Sequence, residues 1–192
     1  FDILNNRLML AKALEWGIDY WDTAEGYGGG RSEEGIGRWF ARNPDTRKKV
    51  FLVTKLSPRR GTDFTPRLKA CLKRLHTDYI DLLFVHGISD IDDMDPGFES
   101  WSRDMKKAGK LKLFGFSTHT NMENCLEGAS RLPWIDGIMF TYNYRPMHKP
   151  RMKAAIEACY RAGIGLTAMK TQGGGPVKSD SESEIEMAGK FM

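Results

Sequence analysis

Short apolar segments alternate with helical segments along this chain, and this alternation limits the fold more than any other feature. Six apolar runs rich in β-branched and aromatic residues lie at 17–23, 49–55, 79–86, 112–118, 135–143 and 163–170. Within most of these runs apolar and polar residues do not alternate strictly, which is typical of strands that are buried on both faces of a parallel sheet. The sequence therefore predicts six parallel strands.

The segments around these strands carry helix signals. We expect helices at 6–17, 32–42, 65–76, 98–110, 121–132 and 149–163. Ser32 is predicted to cap the second of them, with glutamates in its first turn. Thr65 is predicted to cap the third, with Pro66 in its first turn.

Two fold classes produce such a β-α alternation with short connections: an open doubly wound sheet and a (β/α)8 barrel. A doubly wound dinucleotide-binding fold normally carries G-x-G-x-x-G after its first strand. The glycine-rich stretches here, "GYGGG" at 26–30 and "GGG" at 173–175, do not fit that pattern. This weakens the doubly wound alternative and favours the α/β barrel.

A polar or charged side chain follows or ends every predicted strand. In a (β/α)8 barrel the carboxyl ends of the strands meet at one mouth, where the active site lies. Taken alone, each residue has a structural alternative, such as a turn cap, a solvated strand end or a satisfied core histidine. Their occurrence at all six strand ends favours a shared site, which would contain Asp22, Lys55, His86, Ser117 with Thr118, Asn143 and Lys170.

Four of the residues near these strand ends suit acid–base chemistry together. Tyr27 lies in the glycine-rich loop five residues after Asp22. An ammonium group such as that of Lys55 stabilises a phenolate, and a buried ammonium needs a carboxylate partner such as Asp22. His86 adds a group that can hydrogen-bond a substrate carbonyl.

Composition excludes several other classes of function. The chain has 192 residues, 41% of them hydrophobic, and a formal net charge of +4 that is interspersed rather than clustered. We therefore expect no nucleic-acid partner, although a mildly basic surface suits an anionic small molecule. No apolar run reaches the length of about 18 residues that a membrane span needs, so no membrane partner is expected. The three cysteines are expected to be reduced core thiols of a cytoplasmic protein: Cys71, Cys125 and Cys159.

The quoted motifs resemble those of the aldo-keto reductase family. The resemblance rests on "GIDYWDTAEGYGGGRSEEGIG", "VTK", "CLKRLHTDYIDLLFVHG", "KAGKLKLFGFSTHT" and "GIGLTAMKTQGGG". The segments "STHT" and "AMKTQGGG" are similar to a bacterial branch of the family, some of whose members carry a C-terminal iron–sulfur domain. Nothing in these residues supplies ligands for such a cluster.

The resemblance implies a (β/α)8 barrel that reduces aldehydes or ketones with NADP(H), with NAD(H) left open and no metal involved. It implies that Asp22, Tyr27, Lys55 and His86 form the catalytic tetrad, with Tyr27 as proton donor. The cofactor-binding residues that it implies are Ser117, Thr118, Asn143, Met169 and Lys170.

Some positions depart from the family pattern. Thr118 replaces the asparagine of the usual serine–asparagine pair, and Met139 stands where a glutamine is common. Met169 stands where an aromatic ring usually stacks on the nicotinamide. These departures concern the details of nicotinamide binding and leave the tetrad intact.

The extent of the chain gives a further expectation. It begins with Phe1 and contains about six β/α units, matching the second to seventh strands of the family barrel. We therefore expect residues 1–192 to form a single, incomplete barrel domain. Two alternatives to the reductase stay open: a cofactor-binding regulatory or scaffold barrel with little or no turnover, and a barrel with other chemistry such as an isomerase.

Overall fold

A computed structural model describes residues 3–57 and 63–173, and six helices alternate with six strands within them. The alternation predicted from the sequence is confirmed, with boundaries shifted by a few residues. The helices are α1 Ile3–Glu15, α2 Arg31–Arg42, α3 Phe64–Leu75, α4 Pro96–Lys107, α5 Met122–Ala129 and α6 Pro150–Arg161. The strands are β1 Tyr20–Asp22, β2 Phe51–Leu56, β3 Ile80–Ile88, β4 Leu111–Thr118, β5 Gly137–Thr141 and β6 Gly165–Met169.

The order of the strands in the sheet distinguishes the two candidate fold classes. The strands follow one another as β1-β2-β3-β4-β5-β6, in the order of the chain. The pairs β1–β2, β2–β3 and β5–β6 are parallel. A doubly wound sheet reverses its strand order at a switch point, whereas a (β/α)8 barrel does not. The fold is therefore that of a (β/α)8 barrel, of which these residues supply six β/α units.

The described residues belong to two compact units. Of the described residues, those up to His86 and those from Asp95 to Gly115 form one unit, and those from Gly87 to Met94 and from Phe116 onward form the other. The first unit contains α1 to α4 with β1 and β2, and the second contains α5 and α6 with β5 and β6. That residues 1–192 form one domain stays a prediction.

The core of the first unit is built around its central strands. In β2 every residue from Leu52 to Leu56 is buried, and in β3 every residue from Ile80 to Val85 is buried. Since side chains alternate between the two faces of a strand, both faces of these strands are covered. This explains why the corresponding segments are rich in apolar residues without a strict alternation, and why their polar members Thr54, Lys55 and Asp81 are buried as well.

Two helix starts differ from the prediction. Helix α2 begins at Arg31 after Gly30, which has a left-handed conformation with φ of 94° and provides no side-chain cap. The Ser32 hydroxyl instead accepts a hydrogen bond from Thr23 at 2.8 Å. Helix α3 is capped by Asp63, whose carboxylate accepts a hydrogen bond from the Thr65 backbone N–H at 2.8 Å. In both cases a neighbouring residue provides the better start, so the caps predicted at Ser32 and Thr65 were wrong.

A buried polar cluster holds together the amino-terminal ends of β2 and β3. The Asp81 carboxylate accepts hydrogen bonds from Arg47 at 2.8 Å, from Lys112 at 2.7 Å and from the Leu52 backbone N–H at 3.0 Å. Arg47 and Lys112 also lie over the ring of Tyr79. Asp81 therefore neutralises a buried guanidinium and satisfies a buried backbone donor at the same time.

The three cysteines are buried and lie in helices, as predicted. Burial raises the pKa of the Cys125 and Cys159 thiols to about 11, and desolvation likewise raises that of Cys71. All three are therefore protonated thiols at neutral pH and not activated nucleophiles. Among the helices within residues 3–57 and 63–173, none is both long and apolar enough to cross a membrane.

The close approach of α2 to α3 gives a first testable prediction. A Cβ atom added to Gly37 on α2 would lie 1.9 Å from the backbone carbonyl oxygen of Arg74. Because a backbone atom cannot swing away, we expect Gly37→Ala to lower the free energy of unfolding by about 1–3 kcal/mol or more. Urea denaturation followed by circular dichroism measures this loss.

The matched control is Gly26→Ala, where an added Cβ would meet nothing within 4 Å and the backbone has φ of −84°. Alanine accepts that conformation, so its stability should be equal or slightly higher. Equal stability of the two alanine variants would contradict the predicted clash.

Candidate active site

Lys55 is a buried charged residue of the first unit. Its side chain on β2 is 1% exposed, and its Nζ lies 2.6 Å from each carboxylate oxygen of Asp22. The same Nζ donates to the backbone carbonyl of Thr23 at 3.0 Å. An ammonium has three protons, so these contacts engage the whole group. The pairing of a buried lysine with Asp22 that the sequence suggested is present.

The register of the sheet brings these two residues together. Asp22 ends β1 and lies opposite Val53 of β2. Beyond the end of β1 the chain stays beside β2, because the Thr23 N–H donates to the Val53 carbonyl at 2.9 Å and the Glu25 N–H donates to the Lys55 carbonyl at 3.1 Å. Asp22 and Lys55 therefore lie at the carboxyl ends of adjacent parallel strands.

Two opposing effects act on the Asp22 carboxyl. Burial raises the pKa of Asp22 above its ordinary value, whereas the positive charge of Lys55 and the hydrogen bonds from it lower that pKa. The desolvation effect is the larger, so the pKa is raised overall. Since the charged form of Asp22 is disfavoured by burial, its ionisation depends on the contact with the Lys55 ammonium.

Tyr27 is placed by the glycine-rich loop that follows β1. The loop turns back at once, because the Tyr27 N–H donates to the Ala24 carbonyl at 3.1 Å. Gly28, Gly29 and Gly30 have φ of 60°, 66° and 94°. Three consecutive residues in the left-handed region require glycine, which explains the "YGGG" sequence. The turn leaves the Tyr27 side chain 42% exposed.

The Tyr27 ring lies close to two other members of the predicted tetrad, Lys55 and His86. The Lys55 Nζ lies 5.1 Å from the centroid of the Tyr27 ring. The His86 ring on β3 lies 5.8 Å from the Tyr27 ring, centroid to centroid, at an interplanar angle of 79°. All four residues belong to the first unit, and the structure brings Asp22, Tyr27, Lys55 and His86 together. This arrangement offers one phenol, one fixed cation and one imidazole at a partly exposed position.

The residues predicted to bind the cofactor lie in the second unit, and three of them make internal hydrogen bonds. The Ser117 hydroxyl accepts from the Gly87 N–H at 2.9 Å, and the Thr118 hydroxyl donates to the Thr120 carbonyl at 2.8 Å. The Asn143 amide donates to the Lys170 carbonyl at 3.0 Å and accepts from the Arg145 N–H at 3.0 Å. These three side chains stabilise the loops that follow β4, β5 and β6.

Met169 and Lys170, the other two residues predicted to bind the cofactor, also lie at or just after the end of a strand but are more accessible to solvent. Met169 ends β6 and is half-buried, and Lys170 follows it with an exposed side chain and a φ of 53°. His119, which the sequence analysis did not select, is exposed after β4 and contacts the Thr141 hydroxyl at 3.1 Å through its Nδ1.

Sequence reasoning also missed an ion pair beside the tetrad. Glu25, two residues before Tyr27, forms an ion pair with Arg67 of α3. A second ion pair joins Glu33 of α2 to Arg74 of α3, and Glu33 is completely buried. No local spacing pairs these residues, because each arginine follows its glutamate by more than 40 positions. Within residues 3–57 and 63–173 there is no cluster of three side chains able to ligate a metal ion.

This chain is similar to known proteins both in sequence and in fold. The model of the aldo/keto reductase family matches residues 5–190. The aldo-keto reductase yakc [NADP(+)] of Schizosaccharomyces pombe is 29% identical over 186 residues, which cover 88% of this chain and 53% of that protein. Methylglyoxal reductase DkgA of Escherichia coli O157:H7 is 28% identical over 170 residues, which cover 86% of this chain and 58% of the relative.

A solved structure has a similar fold. A putative aldo-keto reductase from Pseudomonas aeruginosa superposes with a TM-score of 0.71 at 28% identity, covering 88% of this chain and 66% of that structure. The chain thus spans just over half the length of the two curated relatives named above. The family model matches nearly the whole chain. The chain belongs to the aldo/keto reductase family.

Proposed function

We propose that this chain carries the acid–base group of an NAD(P)H-dependent carbonyl reductase, with Tyr27 as the proton donor. The observation that carries the proposal is the fixed cation beside the phenol: the Lys55 ammonium is locked by Asp22 and lies 5.1 Å from the Tyr27 ring centroid. A phenol is a weak acid in water, and a placed cation lets it release a proton more readily.

The proton transfer involves only residues of the first unit. The Tyr27 hydroxyl donates its proton to the oxygen of the carbonyl substrate as negative charge develops there. The charge that is left on the phenolate is stabilised by Lys55, whose own charge is compensated by Asp22. Because Lys55 is 1% exposed and held by three acceptors, it needs little reorganisation during the reaction.

His86 supports this step by orienting the carbonyl oxygen. Its ring meets the Tyr27 ring nearly at a right angle, at a centroid distance of 5.8 Å, so the two side chains are direct neighbours. A histidine N–H that hydrogen-bonds the carbonyl oxygen would hold it close to the tyrosine hydroxyl. In this role His86 selects the geometry of the substrate, while Tyr27 supplies the proton.

The proposed reduction requires a cofactor that supplies the hydride. Phenol, ammonium, imidazole and carboxylate move protons but supply no hydride, so a reduction requires a bound reductant. When bound, a reduced nicotinamide cofactor supplies the hydride for the carbonyl carbon. We propose that the residues that hold it are Ser117, Thr118, Asn143, Met169 and Lys170. The bracketed NADP(+) in the name of the fission yeast relative supports NADP(H) as the first choice.

A small aldehyde or ketone is the proposed substrate class. The name of the Escherichia coli relative, methylglyoxal reductase, supports this choice. The half-exposed Tyr27 side chain also supports it, because a substrate can reach the hydroxyl from solvent.

The test is a panel of aldehydes and ketones offered to the intact protein with NADPH or NADH. We expect oxidation of the reduced cofactor that depends on the carbonyl compound and releases one alcohol per cofactor consumed. Tight binding of NADPH with no reduction of any carbonyl would contradict the proposal and would favour a cofactor-binding regulatory barrel.

A further inference from the structure

The loop that carries Tyr27 is fixed by a charged cluster that the tetrad does not include. The Glu25 carboxylate accepts a hydrogen bond from the backbone N–H of Ser57 at 3.0 Å. Arg67 of α3 donates its Nε to the same carboxylate at 3.1 Å, and its Nη2 donates to the other carboxylate oxygen. The side chains of Arg67 and Glu25 are only 15% and 18% exposed. The contact is therefore bidentate and largely shielded from water.

Arg67 contacts the end of the neighbouring strand as well. Its Nη1 donates to the backbone carbonyl of Ser57 at 2.8 Å. Its guanidinium also lies 5.0 Å from the ring centroid of Phe64, which is 2% exposed. Arg67 thus uses three different nitrogen atoms and is held by both a buried ring and two chain segments.

These contacts join the two segments on which the acid–base group depends. Glu25 precedes Tyr27 by two residues, and Ser57 follows Lys55 by two residues. The Glu25 N–H is bonded to the Lys55 carbonyl, so Glu25 is attached to β2 through its backbone as well as its side chain. The Tyr27 side chain is 42% exposed, which leaves much of its placement to the loop backbone.

We propose that the Glu25–Arg67 ion pair positions the proton donor by fastening the Tyr27 loop to the end of the strand that carries Lys55. Glu25 and Arg67 are positioning residues that act through Tyr27, and the inference rests on the proposed reductase function. Loss of the pair should let the loop drift relative to Lys55, and displacements of about 1 Å in an active site are sufficient to lower the rate about 100-fold.

The kinetic experiment uses Glu25→Gln, Arg67→Gln and the double variant in the intact protein. Glutamine at position 25 keeps an acceptor for the Ser57 N–H but loses the charge. We expect kcat to fall about 10- to 100-fold in each single variant, while KM and the Kd for NADPH change little. The double variant should be no slower than the worse single variant, because the two side chains act as one unit.

Two further variants separate positioning from general stability. Arg47→Gln is the matched control, since Arg47 is also a buried arginine paired with a carboxylate in the first unit but, within the described part of the chain, its hydrogen bonds involve neither the Tyr27 loop nor Ser57 after β2. Its kcat per folded molecule should equal that of the wild type. Arg67→Lys keeps the charge and should recover part of the kcat that Arg67→Gln loses.

A spectroscopic measurement does not depend on turnover. With 3-fluorotyrosine incorporated at position 27, we expect one sharp fluorine resonance in the wild type and a broadened or split resonance in Arg67→Gln, but not in Arg47→Gln. An unchanged kcat per folded molecule in Glu25→Gln and Arg67→Gln overturns the inference if the wild type is active. A wild type without turnover overturns the proposed function instead, and an unchanged fluorine resonance in Arg67→Gln would then overturn the inference independently.

Discussion

Replacement of Tyr27 by phenylalanine is expected to lower kcat by about 100- to 10,000-fold, the range that a positioned general acid contributes. The substitution removes only the hydroxyl, so the ring that contacts Lys55 and His86 stays in place. The Kd for NADPH should stay close to the wild-type value, because Tyr27 is not among the residues proposed to bind the cofactor. Steady-state rates with the best carbonyl substrate, together with cofactor titration, measure both quantities.

The control for this experiment is Tyr160→Phe. Tyr160 lies on α6 and is 75% exposed, so the loss of its hydroxyl should leave kcat unchanged. If Tyr27→Phe retained most of the wild-type rate, Tyr27 would not be the proton donor and the assignment of the acid–base group would fail.

The largest loss of stability is expected for Asp81→Ala. The substitution leaves the Arg47 guanidinium, 9% exposed, without its carboxylate and leaves the buried Leu52 N–H without its acceptor. Breaking a buried ion pair by removal of one partner costs about 3–5 kcal/mol, since the remaining charge stays desolvated. We expect a fall of that size in the free energy of unfolding, measured as a shift in the urea midpoint at constant slope.

Lys112→Gln is the informative comparison for Asp81. Lys112 contacts the same carboxylate, but its side chain is 59% exposed and it can stay hydrated when the contact is lost. Surface contacts of this kind contribute about 0–1 kcal/mol. A small loss for Asp81→Ala, comparable to that of Lys112→Gln, would show that the buried cluster does not stabilise the fold as described.

Much of the fold could be predicted from the sequence, because segments that are buried in the fold are rich in apolar residues. Strands β2 and β3 are covered on both faces, so their segments are predominantly apolar and do not alternate strictly between apolar and polar residues. The first residue of each helix was harder to predict, because several candidate N-cap residues lie within a few residues of each other. At α3, Asp63 rather than Thr65 provides the cap, and at α2 the left-handed Gly30 makes a side-chain cap unnecessary.

The proximity of the four residues of the predicted tetrad could be expected because each lies at or shortly after the end of a predicted strand, whereas their catalytic role stays a prediction. Asp22 ends β1, and Lys55 is the penultimate residue of β2. The Glu25–Arg67 pair could not be predicted, because it joins a loop to a helix 42 residues later and neither residue stands out locally. For the same reason Glu33, read as a favourable charge at a helix start, proved to be completely buried against Thr54 and Arg74.

The most direct test of the central claim is the transfer of label from NADPH that carries deuterium at both C4 positions of the nicotinamide. The intact protein is incubated with this cofactor and a carbonyl compound, and the alcohol is analysed by mass spectrometry. The account predicts an alcohol with one deuterium on the carbinol carbon. It also predicts that the rate of alcohol formation falls about 100- to 10,000-fold in Tyr27→Phe. An alcohol without deuterium, or NADPH binding without any alcohol, would contradict the assignment of this chain as a carbonyl reductase.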